Sequence, residues 1–151
     1  MLNSNQMIDK ALEIAINVHK DTLDKGGIPY ILHPLRVMNN CKSLEAKTVA
    51  LLHDTIEDSF VDKEYLEKNG FSSDIIEAVM LLTHKSDIPY FEYVRNLKDN
   101  ALAREVKLRD LEDNMNIFRI PEVGDEDLKR LAKYRRAYEY LKLFDEESIK
   151  Y

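Results

Sequence analysis

His53 and Asp54 stand side by side in the stretch ALLHDTIED. An imidazole next to a carboxylate can hold one metal ion from two directions. Glu57 and Asp58 follow within one turn's reach. A divalent metal lowers the pKa of a bound water, and a spare carboxylate beside it can position that water or shuttle its proton. Carboxylates this close also push each other's pKa values apart, which suits acid–base work. The chemistry such residues point to is hydrolysis. An HD pair also arises by chance, so the reading depends on ligands arriving from elsewhere in the chain.

Two further candidates are His33 and Asp110. His33 precedes Pro34, whose ring favours extended backbone at the residue before it. Asp110 falls midway along an expected helix, where Asp has poor propensity and needs a reason. With His53 and Asp54 they make four candidate metal ligands on three segments, a His and carboxylate mixture that suits Mn, Fe, Co or Zn. Asp110 and Asn114 project from one helix face, about 6 Å apart along the axis. Lys107 lies three residues earlier on that face, so the strip can serve a phosphate, a metal and a sugar or water.

Each residue alone has a plainer explanation. Asp110 fits a solvated, charge-paired face; His33 and His53 fit satisfied structural histidines; Glu57 and Asp58 fit ordinary loop acids. His19 ends the first helix, where it complements the helix dipole. His84, beside Lys85, either touches the site or ends a helix.

The elements that must position these residues read as helices. Ser4 caps a first helix to about His19, with Met7, Ile8, Leu12, Ala15 and Ile16 at helical spacing. Gly26, Gly27 and Pro29 form a loop, and Pro34 opens a short helix ending near Asn40. Ser43 caps LEAKTVALLHD, the most apolar helix and the expected centre of the fold. Asp62 caps a short helix to about Lys68, ended by Gly70. Asp74 and Glu77 form a capping box for IIEAVMLLTHK. Pro89 opens a helix through Leu97. A long helix runs from about Asn100 to Phe118, closed by Pro121 and Gly124. Asp125 caps the last helix, through about Phe144. No segment alternates at the strand period. The expected fold is all-α, a single domain over residues 1–151 with seven or eight helices.

Composition agrees. The chain has 151 residues, 44% of them hydrophobic, enough for one core. The net charge of -6 argues against non-specific nucleic-acid binding, which depends on Lys and Arg at phosphates. It leaves room for a small phosphorylated substrate, because a bound divalent metal brings its own positive charge. The single cysteine, Cys41, reads as a small buried hydrophobe. The N-terminus lacks the basic and apolar regions of a signal peptide, and no stretch is apolar enough to span a bilayer. The expectation is a soluble, cytoplasmic domain without membrane or nucleic-acid partners. The tyrosines of the last helix, Tyr134, Tyr138 and Tyr140, are expected to pack on the domain.

Taken together and in order, GGIPYILHPLRV, ALLHDTIED and VKLRDLEDNMN resemble the HD-domain hydrolases of the RelA/SpoT type. Those enzymes remove the 3′-pyrophosphate from the alarmone (p)ppGpp. The similarity covers roughly residues 8 to 118. It implies an HD-domain helical bundle of the hydrolase-only form, in which His33, His53, Asp54 and Asp110 bind the metal, Mn²⁺. Glu57 and Asp58 would position or activate the attacking water. Asn114 would lie near the ribose and phosphate, with Lys107 in the same strip, and Tyr30 would line the pocket entrance. Lys25 remains from a run that is usually basic and helps to hold the guanine.

Two departures stand out. Asp24 occupies a place where a basic residue is common, and the usual glutamine is absent. After Asp110 the family often has Arg-Leu-His-Asn; here the residues are Leu-Glu-Asp-Asn. The leading expectation is a (p)ppGpp 3′-pyrophosphohydrolase. The departures keep two others open: an HD hydrolase of a different nucleotide, and a nucleotide-binding sensor without turnover.

Overall fold

Capping chemistry starts most of the helices. The structure, a computed structural model, describes residues 1–57 and 59–149, and side chains through residue 145. Asn3 accepts from the Gln6 amide while Gln6 answers at the Asn3 amide, a capping box that opens α1 (Ser4–His19). The cap is therefore Asn3 and not Ser4, because only Asn3 has the reciprocal partner three residues on. α2 (Leu32–Asn40) begins two residues before Pro34. Pro34 sits in the first turn, where amides have no intrahelical acceptor and its missing N–H costs nothing.

Ser43 accepts from the Ala46 amide and opens α3 (Leu44–Leu52). Ala46, Thr48, Val49, Ala50, Leu51 and Leu52 are all buried. α3 is the central element, packed against α1, α2, α5 and α7. It ends one residue before His53, so the HD pair lies in the turn that follows and not within the helix.

Asp62 caps α4 (Lys63–Lys68) by accepting from Tyr65. α5 (Ser73–Leu82) begins at Ser73, with Ser72 at the cap position. Asp74 therefore stands inside the first turn, where its charge suits the dipole, and forms no capping box with Glu77. α5 stops before His84, because Thr83 turns to extended backbone. α6 (Tyr90–Arg95) is shorter than Pro89 to Leu97.

Asn100 caps α7 (Ala101–Asn114). The helix ends at Asn114, four residues short of Phe118. Asn116 then accepts from the Phe118 amide and starts a separate 3₁₀ turn, Ile117–Arg119. α8 (Asp125–Ile149) packs on α7 and α6 and extends past Phe144. Its Ala137 and Leu141 are buried, and Tyr134, Tyr138 and Tyr140 pack against the core.

The described residues form an all-α domain of eight α-helices. The extended pairing recorded among them is an isolated bridge between Leu23 and Pro29. No described helix is long and apolar enough to cross a membrane.

Candidate metal centre

α2, the end of α3 and α7 converge on one point. His33, His53, Asp54 and Asp110 each bring a ligand atom there, all within 4.8 Å of one another. The imidazole rings of His33 and His53 meet edge to face at 5.7 Å. Asp110 Oδ1 lies 2.9 Å from His33 Nε2 and 3.2 Å from His53 Nε2. Asp54 Oδ2 is 3.2 Å from His53 Nε2 and 3.7 Å from His33 Nε2. Both histidines are buried, as is Asp110, while Asp54 is half-buried and keeps one side towards solvent.

The donor set fits a divalent cation, and the hydrogen bonds behind it make the fit specific. His53 Nδ1 faces the Ala50 carbonyl, which can only accept, so Nδ1 carries the proton and Nε2 is the basic nitrogen in the neutral ring. His33 Nδ1 donates in the same way to Asp113 Oδ2, at 2.6 Å. Both rings are thus held with Nε2 facing the two carboxylates, the arrangement that metal-ligating histidines need. Asp110 is fixed from behind as well: Lys107 Nζ donates to its Oδ2 at 3.1 Å, and Asn114 Nδ2 to its Oδ1 at 3.2 Å. The Tyr30 hydroxyl donates to Asp54 Oδ2, and the Tyr30 ring lies between those of His19 and His33.

The electrostatics follow from this packing. Burial works against charge on His33, but the bonds to Asp110 and Asp113 outweigh it and push the imidazole up to about 9. Burial also opposes charge on His53; the carboxylates of Asp54 and Asp110 raise it nonetheless. Asp110 would be raised by burial, yet Lys107 and the two imidazoles hold it well below the usual carboxylate range. Two anions therefore face two basic nitrogens. A divalent cation satisfies both pairs and takes the place of protons on the rings.

Glu57 follows Asp54 by three residues, and its Oε1 accepts from the His84 amide at 3.1 Å. Although much of the side chain meets solvent, its carboxyl is crowded. Partial desolvation raises its pKa, the His84 amide opposes this, and the charge of Asp54 raises it further. Asp58 lies outside the described residues. Lys107 was expected to meet substrate; it is 9% exposed, with its charge on Asp110 and its ammonium over the Tyr90 and Tyr93 rings. Its ammonium meets Asp110 from inside the fold.

A cavity of about 460 Å³ opens beside the cluster. Lys25, Tyr30, His33 and Asn114 line it, so three of the four residues expected at the substrate lie on its wall. His84 bonds the Ile88 carbonyl and stacks on Tyr93, a structural role. His19 lies at the C-terminal end of α1, as expected.

Three residues of the centre escaped the sequence reading. Asp113 accepts from His33, from Arg36 at 2.7 and 3.2 Å, and from Arg119 at 2.8 Å. Burial opposes its charge, but His33 and Arg36 bring its pKa down to about 2. Asp113 is three residues after Asp110, and Arg36 three after His33, so helical spacing alone places each beside a candidate ligand. Arg119 ends the 3₁₀ turn beyond α7, outside that helical spacing, and carries no such signal.

No protein-family model matches the chain. It is 34% identical to a guanosine-3′,5′-bis(diphosphate) 3′-pyrophosphohydrolase of Aquifex aeolicus, over 83% of this chain and 19% of that protein. The protein of the same name from Borreliella burgdorferi is 35% identical over 54% of this chain and 13% of its own length. A GTP pyrophosphokinase of Myxococcus xanthus is 40% identical over 48% of this chain and 10% of its own length. The chain thus spans a fifth or less of the curated relatives it matches. In three dimensions it is similar to a solved metazoan ortholog of SpoT described as hydrolysing ppGpp. The TM-score is 0.70 at 22% identity, covering 87% of this chain and 83% of that one.

Proposed function

We propose that the chain is an HD domain of the RelA/SpoT type and a metal-dependent phosphohydrolase that removes the 3′-pyrophosphate of ppGpp. The observation that carries the reading is the ligand cluster itself: four donors within 4.8 Å, with the far nitrogen of each imidazole already engaged. His33, His53, Asp54 and Asp110 would hold a divalent cation, proposed to be Mn²⁺, which would supply Lewis acidity to activate water and to offset phosphate charge. Tyr30, Asn114 and Lys107 keep the carboxylates of that set in place. Glu57, its carboxyl raised by partial desolvation and by the charge of Asp54, would position the attacking water and take its proton, in concert with Asp58. The nucleotide occupies the adjoining cavity, with Lys25 and Asn114 at its phosphates and ribose.

The ligand chemistry is proposed to operate in the cytoplasm, where its nucleotide would be found. A panel of nucleotides with Mn²⁺ tests the reading. ppGpp should release pyrophosphate far faster than nucleoside mono-, di- or triphosphates release any product. A second reading, an HD hydrolase of another nucleotide, draws on Asp24, whose carboxylate takes up the Arg119 charge beside the cavity. Faster turnover of any other nucleotide in the panel would select it, and binding without turnover of any would select the sensor.

A further inference from the structure

Asp24 is an acid on the wall of a cavity read as taking a highly anionic ligand, and its contacts explain how it can stand there. Both carboxylate oxygens are used within the protein. Oδ1 accepts from the Gly26 amide at 2.8 Å and the Ile28 amide at 3.0 Å, folding residues 24–28 into a closed turn. Oδ2 accepts from Arg119 Nη2 at 3.1 Å. The turn is further tied by Asp24 N to the Ile28 carbonyl at 2.8 Å and Tyr30 N to the Thr22 carbonyl at 2.7 Å. Arg119 in turn reaches α7: its Nη1 donates to Asp113 Oδ2 at 2.8 Å and to the Asp113 carbonyl at 3.0 Å.

A second, independent feature holds the same two segments together. Gly26 lies so close to the 3₁₀ turn that a Cβ on it would stand 2.5 Å from the Arg119 carbonyl oxygen. Backbone apposition and a charged side chain thus both join residues 22–30 to Arg119. The metal side does not depend on this join. Arg36 binds Asp113 through two nitrogens, so Asp113 keeps a cation, and His33 its acceptor, without Arg119.

We propose that Arg119 is a positioning residue for the nucleotide: it braces the 22–30 loop against α7 through Asp24 and cancels the Asp24 charge at the cavity wall. The proposal rests on the reading of the cavity as the nucleotide pocket. Removing Arg119 loosens the loop and leaves an uncompensated carboxylate facing an anionic ligand, so binding weakens while the metal centre stays intact.

The test compares the full chain with Arg119→Gln, Asp24→Asn and the double variant. Its readouts are KM and kcat for ppGpp with Mn²⁺, calorimetric binding of GDP, hydrogen exchange at the Gly26 and Ile28 amides, and the thermal shift on adding Mn²⁺. In Arg119→Gln, KM and the GDP Kd should rise about five- to tenfold, with kcat within about twofold of the parent. Exchange at Gly26 and Ile28 should accelerate, and the Mn²⁺ shift should match the parent. The double variant should lose no more than Arg119→Gln alone, because both changes act on one pair. Unchanged KM and unchanged exchange would overturn the proposal, as would loss of the Mn²⁺ shift with KM preserved. If the parent neither turns over ppGpp nor binds GDP, the nucleotide reading fails; the proposed role of Arg119 then fails with it, while the exchange rates still report separately whether the brace exists.

Discussion

A histidine can serve a metal only when its lone pair is aimed, and the bond from His33 Nδ1 to Asp113 turns Nε2 towards Asp110 and Asp54, as the proposed metal role requires. Asp113→Asn keeps the shape and removes the charge that favours the Nδ1–H tautomer. Calorimetric titration with Mn²⁺ should show an affinity loss of about 10- to 100-fold. Glu57→Gln keeps a hydrogen-bond acceptor for the His84 amide but cannot take a proton. Its kcat should fall by about 100-fold or more with metal affinity preserved. Cys41 offers the contrasting case of a group kept out of chemistry. Burial pushes its thiol up to about 12, so at pH 9 the native protein should resist iodoacetamide and react only once unfolded. At this scale the meeting of His33, His53, Asp54 and Asp110 was legible from the three motifs taken together, since each residue alone has a plainer explanation. Spacing tells which face Lys107 shares, whereas burial, which sets its ammonium on Asp110, is not legible in the sequence. Asp113 and Arg36 were within reach of the same spacing argument.

α3 carries the centre because its last five residues, Thr48 to Leu52, are all buried, so His53 and Asp54 emerge from a fixed point. Leu51→Ala should cost about 2–5 kcal/mol in urea unfolding, since Leu51 is fully buried in a helix packed against α1, α2, α5 and α7, which cannot all close the gap. Gly26→Ala should disturb the loop selectively, accelerating exchange at Ile28 while the α3 amides stay protected. Helix starts were legible where a side chain makes the cap locally, as at Ser43 and Asp62. Starts failed where two candidates adjoin, as with Asn3 and Ser4 or Ser72 and Asp74. The end of α7 was hidden for a different reason. No Gly or Pro interrupts residues 114 to 120; the chain turns because Asn116 caps a new 3₁₀ turn against which Gly26 packs from 93 positions away.

At the scale of the whole molecule, the site exists only because α2, α3 and α7 pack together. His33 and Asp110 are 77 positions apart in the chain, so the order of motifs signalled the cluster but not its geometry. A ligand set assembled in this way links metal to global stability. Saturating Mn²⁺ at about a hundredfold excess over Kd should stabilise the fold by about 2.7 kcal/mol, read as a rise in Tm. His53→Ala should show no such rise. The most direct test of the central claim is pyrophosphate release from ppGpp by the purified chain with Mn²⁺, compared with Asp54→Ala. The parent should turn over and the variant should not, with both folded by circular dichroism; undiminished release by folded Asp54→Ala would contradict the metal-centred mechanism.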